Sequence, residues 1–164
     1  MKNWSPVLKK SNLSIKNNAI CASTTTDQLL NFHTLIVPYN PSFIIWYCGS
    51  NDINKNYTIY HIIFNILKWI KKVHIFFPHC HILLLSIIKS PQKYNDNHIQ
   101  KINFINDFFL SFCTKNITFV DLNQHLHDTK NVPIFRYYKK DNIHLTTSAY
   151  KRLSSLLLPI INTV

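Results

Sequence analysis

Glycine is nearly missing. Gly49 is the single one in 164 residues, where average usage of about 7% would place roughly eleven. Asn occurs 19 times, and Ile, Lys, Phe and Tyr are abundant. That bias looks like codon drift toward AT-rich DNA, so part of the basic charge carries no functional meaning. Acidic residues are also scarce, 7 against 18 Lys plus Arg, for a net charge of +11. The lysines are spread along the chain in pairs such as Lys9-Lys10, Lys71-Lys72 and Lys139-Lys140. They read as a solvated basic surface, so no nucleic-acid partner is expected. Tyr137-Tyr138-Lys139-Lys140 is the one suggestive patch.

No C-x-x-C occurs among Cys21, Cys48, Cys80 and Cys113, and four such scattered cysteines do not make a disulfide scaffold. Cys48 and Cys80, in or beside apolar runs, read as small buried hydrophobes. His79-Cys80-His81 would send adjacent side chains to opposite faces of an extended segment, so it does not aim three ligands at one ion. No apolar run reaches the roughly 20 residues of a membrane span. The richest stretch, residues 61–88, is broken by Lys68, Lys71, Lys72 and Pro78. Residues 1–10 lack the apolar core of a signal peptide. With 46% hydrophobic and 15% charged residues, the chain buries a real core, which excludes a disordered or fibrous protein.

What is present is an alternation of apolar runs and helical patterns. Residues 42–48, 82–88 and 117–121 read as buried strands, and residues 13–20 as a weaker one. Helices are expected over residues 25–37, 57–73, 97–113 and 146–161. In the second, Ile59, Ile62, Ile63, Ile66, Leu67 and Ile70 form one apolar stripe. Thr146 is placed to cap the last. The alternation implies an α/β protein with a parallel sheet covered on both sides. No linker, repeat or low-complexity block is visible, and residues 1–164 read as a single domain.

In such sheets the chemistry sits on loops at the carboxyl ends of strands. Two places stand out: Gly49-Ser50-Asn51-Asp52 directly after a strand, and Asp141-Asn142-Ile143-His144 before the last helix. A carboxylate three residues from an imidazole accepts a hydrogen bond from one ring nitrogen, fixes the tautomer and leaves the other nitrogen as a general base. Gly49 lets the backbone approach a substrate with its N–H toward a developing oxyanion, and the Asn51 amide adds a second donor. Asp52 reads as structural, bonding loop N–H groups as Asx residues do. His125, His127 and Asp128 read as a polar surface loop, not a metal site.

On these residues the sequence resembles the SGNH (GDSL-type) hydrolase family. The run from Ile44 to Asp52 looks like the family's strand leading into G-x-N-D. Asp141-Asn-Ile-His-Leu-Thr146, with Tyr150 following, looks like its D-x-x-H-L-T/S block. The segment around Ala22 sits where the family's second block lies. The resemblance implies a flavodoxin-like three-layer α/β/α fold with a parallel sheet. It also implies a Ser-His-Asp ester hydrolase acting on acyl or acetyl esters of small molecules, without metal or organic cofactor. His144 would be the general base, Asp141 its orienter, and Gly49, Asn51 and Ala22 the oxyanion donors.

Two departures stand beside it. The family's first strand and its G-D-S, whose serine is the nucleophile, do not occur in this chain. Trp4 falls where a tryptophan follows that block, so the chain reads as N-terminally truncated, with its first central strand missing. Without that strand, unmade ladder bonds at about 1–3 kcal/mol each are ruinous against a net stability of about 5–15 kcal/mol, unless residues 13–20 and 42–48 pair directly. Alanine also replaces glycine at Ala22 and Ala149, and a left-handed backbone at Ala22 costs about 1–2 kcal/mol. The alternative reading is a catalytically inactive remnant of such a hydrolase, or a non-catalytic binding domain. Oligomeric state and compartment have no signature in the sequence.

Overall fold

The computed structural model describes residues 14–162. In chain order its elements are α1 (Thr25–Leu30), α2 (Phe32–Leu35), a 3-10 turn (Val37–Tyr39), β1 (Phe43–Trp46), α3 (Ser50–Asn54), α4 (Ile59–Phe76) and β2 (His81–Leu85). Then follow α5 (Pro91–Asn95), α6 (Ile99–Leu110), β3 (Ile117–Val120), α7 (Asn123–Leu126), a second 3-10 turn (Phe135–Tyr137) and α8 (Thr147–Ile161). The chain divides into two compact units. One comprises Ala22–Ile88 and His98–Asp121 and holds the whole sheet. The other holds Lys89–Asn97 and, of the described residues, 14–21 and 122–162.

The sheet has the order β1-β2-β3, all parallel. Ile44 aligns with Ile82, and Ile82 with Ile117, so one row of branched side chains crosses the sheet. Side chains alternate along a strand, so Ile44, Trp46, Ile82, Leu84 and Ile117 share one face. They form one core with Ile62, Ile66, Trp69, Ile70 and Val73 of α4 and Ile102, Ile105 and Phe109 of α6. Each fully buried Ile or Leu there contributes about 1.5–3 kcal/mol. Trp46 stacks on Trp69 with ring centroids 4.6 Å apart, which fastens α4 to β1. The helical stripe expected over 57–73 is this buried face, and the helix runs on to Phe76.

The α/β architecture with a parallel sheet matches the expectation. The strand expected over 13–20 does not. Leu13 lies outside the described residues, and 14–20 contain no strand. The stretch is mostly exposed, and Asn17 bends it by accepting the Ala19 N–H at 3.2 Å. The alternation of residue types therefore has no apolar surface to bury, and the direct pairing with β1 is not made. Among the described residues β1 pairs with β2 alone.

The helix expected over 25–37 is also interrupted. Asn31 leaves the helical region (φ −92°, ψ 11°), and its side-chain amide donates to the Asp27 carbonyl at 2.9 Å. The same carbonyl also accepts the Asn31 N–H at 3.0 Å, so α1 ends on an acceptor shared by the backbone and side chain of Asn31. Thr24 caps α1 in a reciprocal box with Asp27.

Asparagine takes glycine's place in the turns. Among the described residues, the non-glycine positions with positive φ are Ala22, Asn40, Asn56, Asn97, Asn131 and Asn142. Asn enters the left-handed region at lower cost than other side chains, so a chain with one glycine closes its turns with it.

Candidate active site

β1 ends at Trp46, and the chain turns at Gly49 into α3. Gly49 has φ 104°, ψ −21° and is the N-cap of α3. An added Cβ would lie 2.7 Å from Ile87 Cδ1, so both conformation and space call for glycine here. Asn51 and Asp52 occupy the first turn of α3. The Asn51 amide Nδ2 donates to the Ser23 carbonyl at 2.9 Å, which brings the Asn51 side chain to the residue after Ala22. Ala22 itself holds φ 57°, the strained left-handed conformation.

Asp52 is fully buried. Its carboxylate accepts the Thr25 N–H at 3.0 and 3.1 Å and the Thr25 hydroxyl at 2.5 Å. Asn65 of α4 donates from Nδ2 to the hydroxyls of Thr25 (3.1 Å) and Thr26 (3.0 Å). The loop carrying Ala22 is thus held to α3 at Ser23 and at Thr25, and to α4 through Asn65. Thr25 and Asn65 are not visible as site residues in the sequence. The available signal is Asn65 itself, a polar residue set inside the apolar stripe of α4.

Cys48 lies just before Gly49. Burial, with the charge of Asp52 adding to it, pushes the Cys48 thiol up to about 12. It stays protonated at neutral pH and is no nucleophile.

Asp141 and His144 lie in the other unit. The chain from Tyr138 to Leu145 folds back on itself: Lys139 N–H donates to the His144 carbonyl at 2.7 Å and Asn142 N–H to the Lys139 carbonyl at 2.9 Å. Asn142 takes the left-handed turn position (φ 59°), and its carbonyl accepts the Gln92 N–H at 3.2 Å. Inside this turn Asp141 Oδ1 accepts the N–H groups of Ile143 and His144, each at 2.9 Å. Asp141 Oδ2 lies 2.8 Å from His144 Nδ1. The two backbone donors, with the imidazole contact after them, hold the Asp141 carboxyl down at about 2. The carboxylate is an acceptor only, so Nδ1 carries the hydrogen and Nε2 is left with its lone pair. Nε2 has no hydrogen-bond partner among the described residues, and the His144 side chain is 59% exposed. Thr146 caps α8 by accepting the Ala149 N–H, as the sequence predicts.

The sequence expectations for the other histidines need one correction. His127 is buried, not part of a surface loop. Its ring spans from the Asn131 side chain to the Lys89 carbonyl, each at 3.0 Å, and these bonds satisfy it in the interior. His125 is half-buried, and Asp128 is exposed and accepts the N–H groups of Lys130 and Val132. Cys80 is buried, and His81 Nε2 lies 2.9 Å from the Thr118 hydroxyl.

The family model for the GDSL-like lipase/acylhydrolase family matches residues 2–152. The chain belongs to that family. Solved structures share the fold of this GDSL-like chain. A protein from Streptococcus pneumonia, described provisionally as a platelet activating factor, superposes with a TM-score of 0.82 at 24% identity, over 93% of this chain and 75% of that one. A provisionally assigned lipolytic protein of the G-D-S-L family from Desulfitobacterium hafniense DCB-2 gives 0.81 at 19% identity, over 96% and 87%. A GDSL-like lipase from Bacteroides thetaiotaomicron gives 0.75 at 21% identity, over 87% and 72%. No curated protein sequence matches. The α/β fold of the GDSL-like chain is that of the SGNH hydrolases, and its family membership supports a hydrolase-type function. Among the described residues no helix is long and apolar enough to cross a membrane.

Proposed function

We propose that residues 1–164 belong to one SGNH hydrolase-like domain whose chemistry is ester hydrolysis by a Ser-His-Asp mechanism, with acyl or acetyl esters of small molecules as substrates. The observation that carries this reading is the 2.8 Å contact from His144 Nδ1 to Asp141 Oδ2, which leaves Nε2 exposed as a base. In this mechanism Nε2 takes the proton of a serine hydroxyl as its oxygen attacks the acyl carbonyl. The proton then goes to the alkoxide leaving group, and the second half repeats the cycle with water. Asp141 stays ionised throughout and stabilises the imidazolium.

The oxyanion donors in this reading are the Gly49 N–H, the Asn51 amide and the Ala22 N–H. Asn51 has two amide hydrogens, and the Ser23 carbonyl engages its nitrogen from one side. The second hydrogen is the one available to a substrate oxygen. Losing one such donor costs about 3–4 kcal/mol of transition-state stabilisation.

No G-D-S occurs among residues 1–164, so this reading assigns the attacking serine to no residue of the chain. That observation favours a second reading, a non-catalytic remnant that binds an ester or a sugar. The coding DNA ahead of Met1 separates the two: an in-frame strand ending in G-D-S supports the enzyme, and a stop codon supports the remnant. With such a segment joined, p-nitrophenyl acetate is hydrolysed and His144→Ala lowers the rate by several orders of magnitude. Equal rates in parent and variant would refute the assignment. The 164 residues alone give no acyl-enzyme burst.

A further inference from the structure

The outward face of α4 carries a feature that ester hydrolysis does not use. Tyr60, Phe64, Lys68, Lys71 and Ile75 are spaced 4, 4, 3 and 4 residues apart, which sets them in one line along the helix. Tyr60 is 81% exposed, Phe64 63% and Ile75 64%, and both lysines are exposed. Lys68 Nζ lies over the Phe64 ring, 5.9 Å from its centroid. The sequence of α4, IYHIIFNILKWIKKVHIF, contains no acidic residue. On the same side of the sheet α6 exposes Phe104 and Leu110, together with one carboxylate, Asp107. The buried stripe of α4 is already used against the sheet. The exposed line is therefore surplus to folding, and large apolar side chains kept in water in a row mark an interaction surface.

We infer that this face docks onto an anionic lipid surface. The line combines aromatic and aliphatic side chains with two exposed lysines, one of which, Lys68, sets its ammonium over the Phe64 ring. That is the composition of an interfacial helix, with rings at headgroup depth and cations against lipid phosphates. A single helix ridge is convex, and a planar, deformable lipid surface fits it better than a preformed pocket does. Charge selects among occupants: Lys68 and Lys71 with no acid on the helix favour an anionic partner. A second copy of a chain with net charge +11 would bring like charges together on this face.

The test is co-sedimentation of the 164-residue protein with sucrose-loaded vesicles, either phosphatidylcholine alone or phosphatidylcholine with phosphatidylglycerol at about 3:1, in about 0.1 M salt. The protein pellets with the mixed vesicles and stays in solution with the neutral ones. Lys68→Gln with Lys71→Gln weakens partitioning by about 30-fold, from the contribution of each lysine near a charged surface. Phe64→Ser weakens it by about tenfold. These side chains are exposed, and unchanged circular dichroism and Tm verify that the variants fold. Lys130→Gln with Lys140→Gln, in the other unit, changes binding less than twofold. Absence of pelleting with the mixed vesicles overturns the inference, as does an equal loss in the Lys130/Lys140 control, which would mean general charge attraction. Duplex DNA binding with the same lysine dependence, and no vesicle binding, overturns it in favour of nucleic acid. A dimer in sedimentation equilibrium that Phe64→Ser dissociates overturns it in favour of a second copy. The readout is lipid binding, so the outcome is independent of the hydrolase reading.

Discussion

The carboxylate of Asp52 holds both the N–H and the hydroxyl of Thr25, 27 residues away in sequence, in the dry interior. This pair joins the first turn of α3 to the start of α1. Removing the acceptor leaves two buried donors and the Asn65 amide beside them without their fixed arrangement. Each orphaned buried donor costs about 1–3 kcal/mol. Asp52→Ala therefore destabilises the protein by about 3–5 kcal/mol, read as a lower urea midpoint with little change in slope. Asp52→Asn retains an acceptor oxygen and costs less. An unchanged midpoint in Asp52→Ala would show that Thr25 finds another acceptor.

Ala22 and Gly49 respond to substitution with opposite signs. Ala22 sits at φ 57° and is exposed, so Ala22→Gly removes left-handed strain without opening a cavity. The strain relieved, less the extra entropy of an unfolded glycine, comes to about 0.5–1 kcal/mol of stabilisation. Gly49 sits at φ 104° with Ile87 Cδ1 2.7 Å from where a Cβ would stand. Gly49→Ala costs about 2–4 kcal/mol, from strain and overpacking together. Thermal or urea unfolding of the two variants beside the parent checks both signs.

How much of this was readable in advance depends on the range of the forces involved. β1 runs into Gly49, a short β-branched run meeting the single glycine, and the cap of α8 at Thr146 is a matter of neighbouring residues. Those features are local and were visible. The break at Asn31 was hidden, because the apolar spacing runs through it while its amide quietly bonds the Asp27 carbonyl. Residues 14–20 alternate like a strand, yet a strand also needs a neighbour to pair with and a surface to cover. Asp52 was recognised as a binder of backbone N–H groups. Its partner Thr25, and the Asn65 side chain behind it, depend on contacts 27 and 40 residues long that no local pattern encodes. In the same way the pairing of Asp141 with His144 is written in a three-residue spacing.

Thiol reactivity divides the four cysteines into pairs. Cys21 and Cys113 are exposed, while Cys48 and Cys80 are buried, and burial pushes their thiols up to about 12 and about 11. Only thiolates attack a disulfide reagent. A colorimetric thiol titration at pH 8 in native buffer thus shows two fast equivalents, and the remaining two appear on adding denaturant. Rapid modification of Cys48 in the native protein would mean that the turn at Gly49 opens readily.

The Asp141–His144 pair makes a prediction about acid. The N–H groups of His144 and Ile143, and then the His144 ring, favour the ionised carboxyl and hold it at about 2, below its ordinary value of 3.8. A carboxyl whose folded value is depressed contributes stability that is complete above its unfolded value and fades as pH falls through the folded one. The window for Asp141 is therefore about pH 4 down to about 2. The side chain is solvent-exposed, so the effect on global stability is small and the titration itself is the better measurement. Carbon-detected NMR of the Asp141 carboxyl gives a midpoint near 2. In His144→Ala the ring contact is lost but the two backbone donors remain, so the midpoint rises only part of the way toward 3.8. A midpoint at 3.8 in the parent would mean that the turn from Asp141 to His144 is not held in solution, and with it would go the orientation of the imidazole on which the hydrolase reading depends.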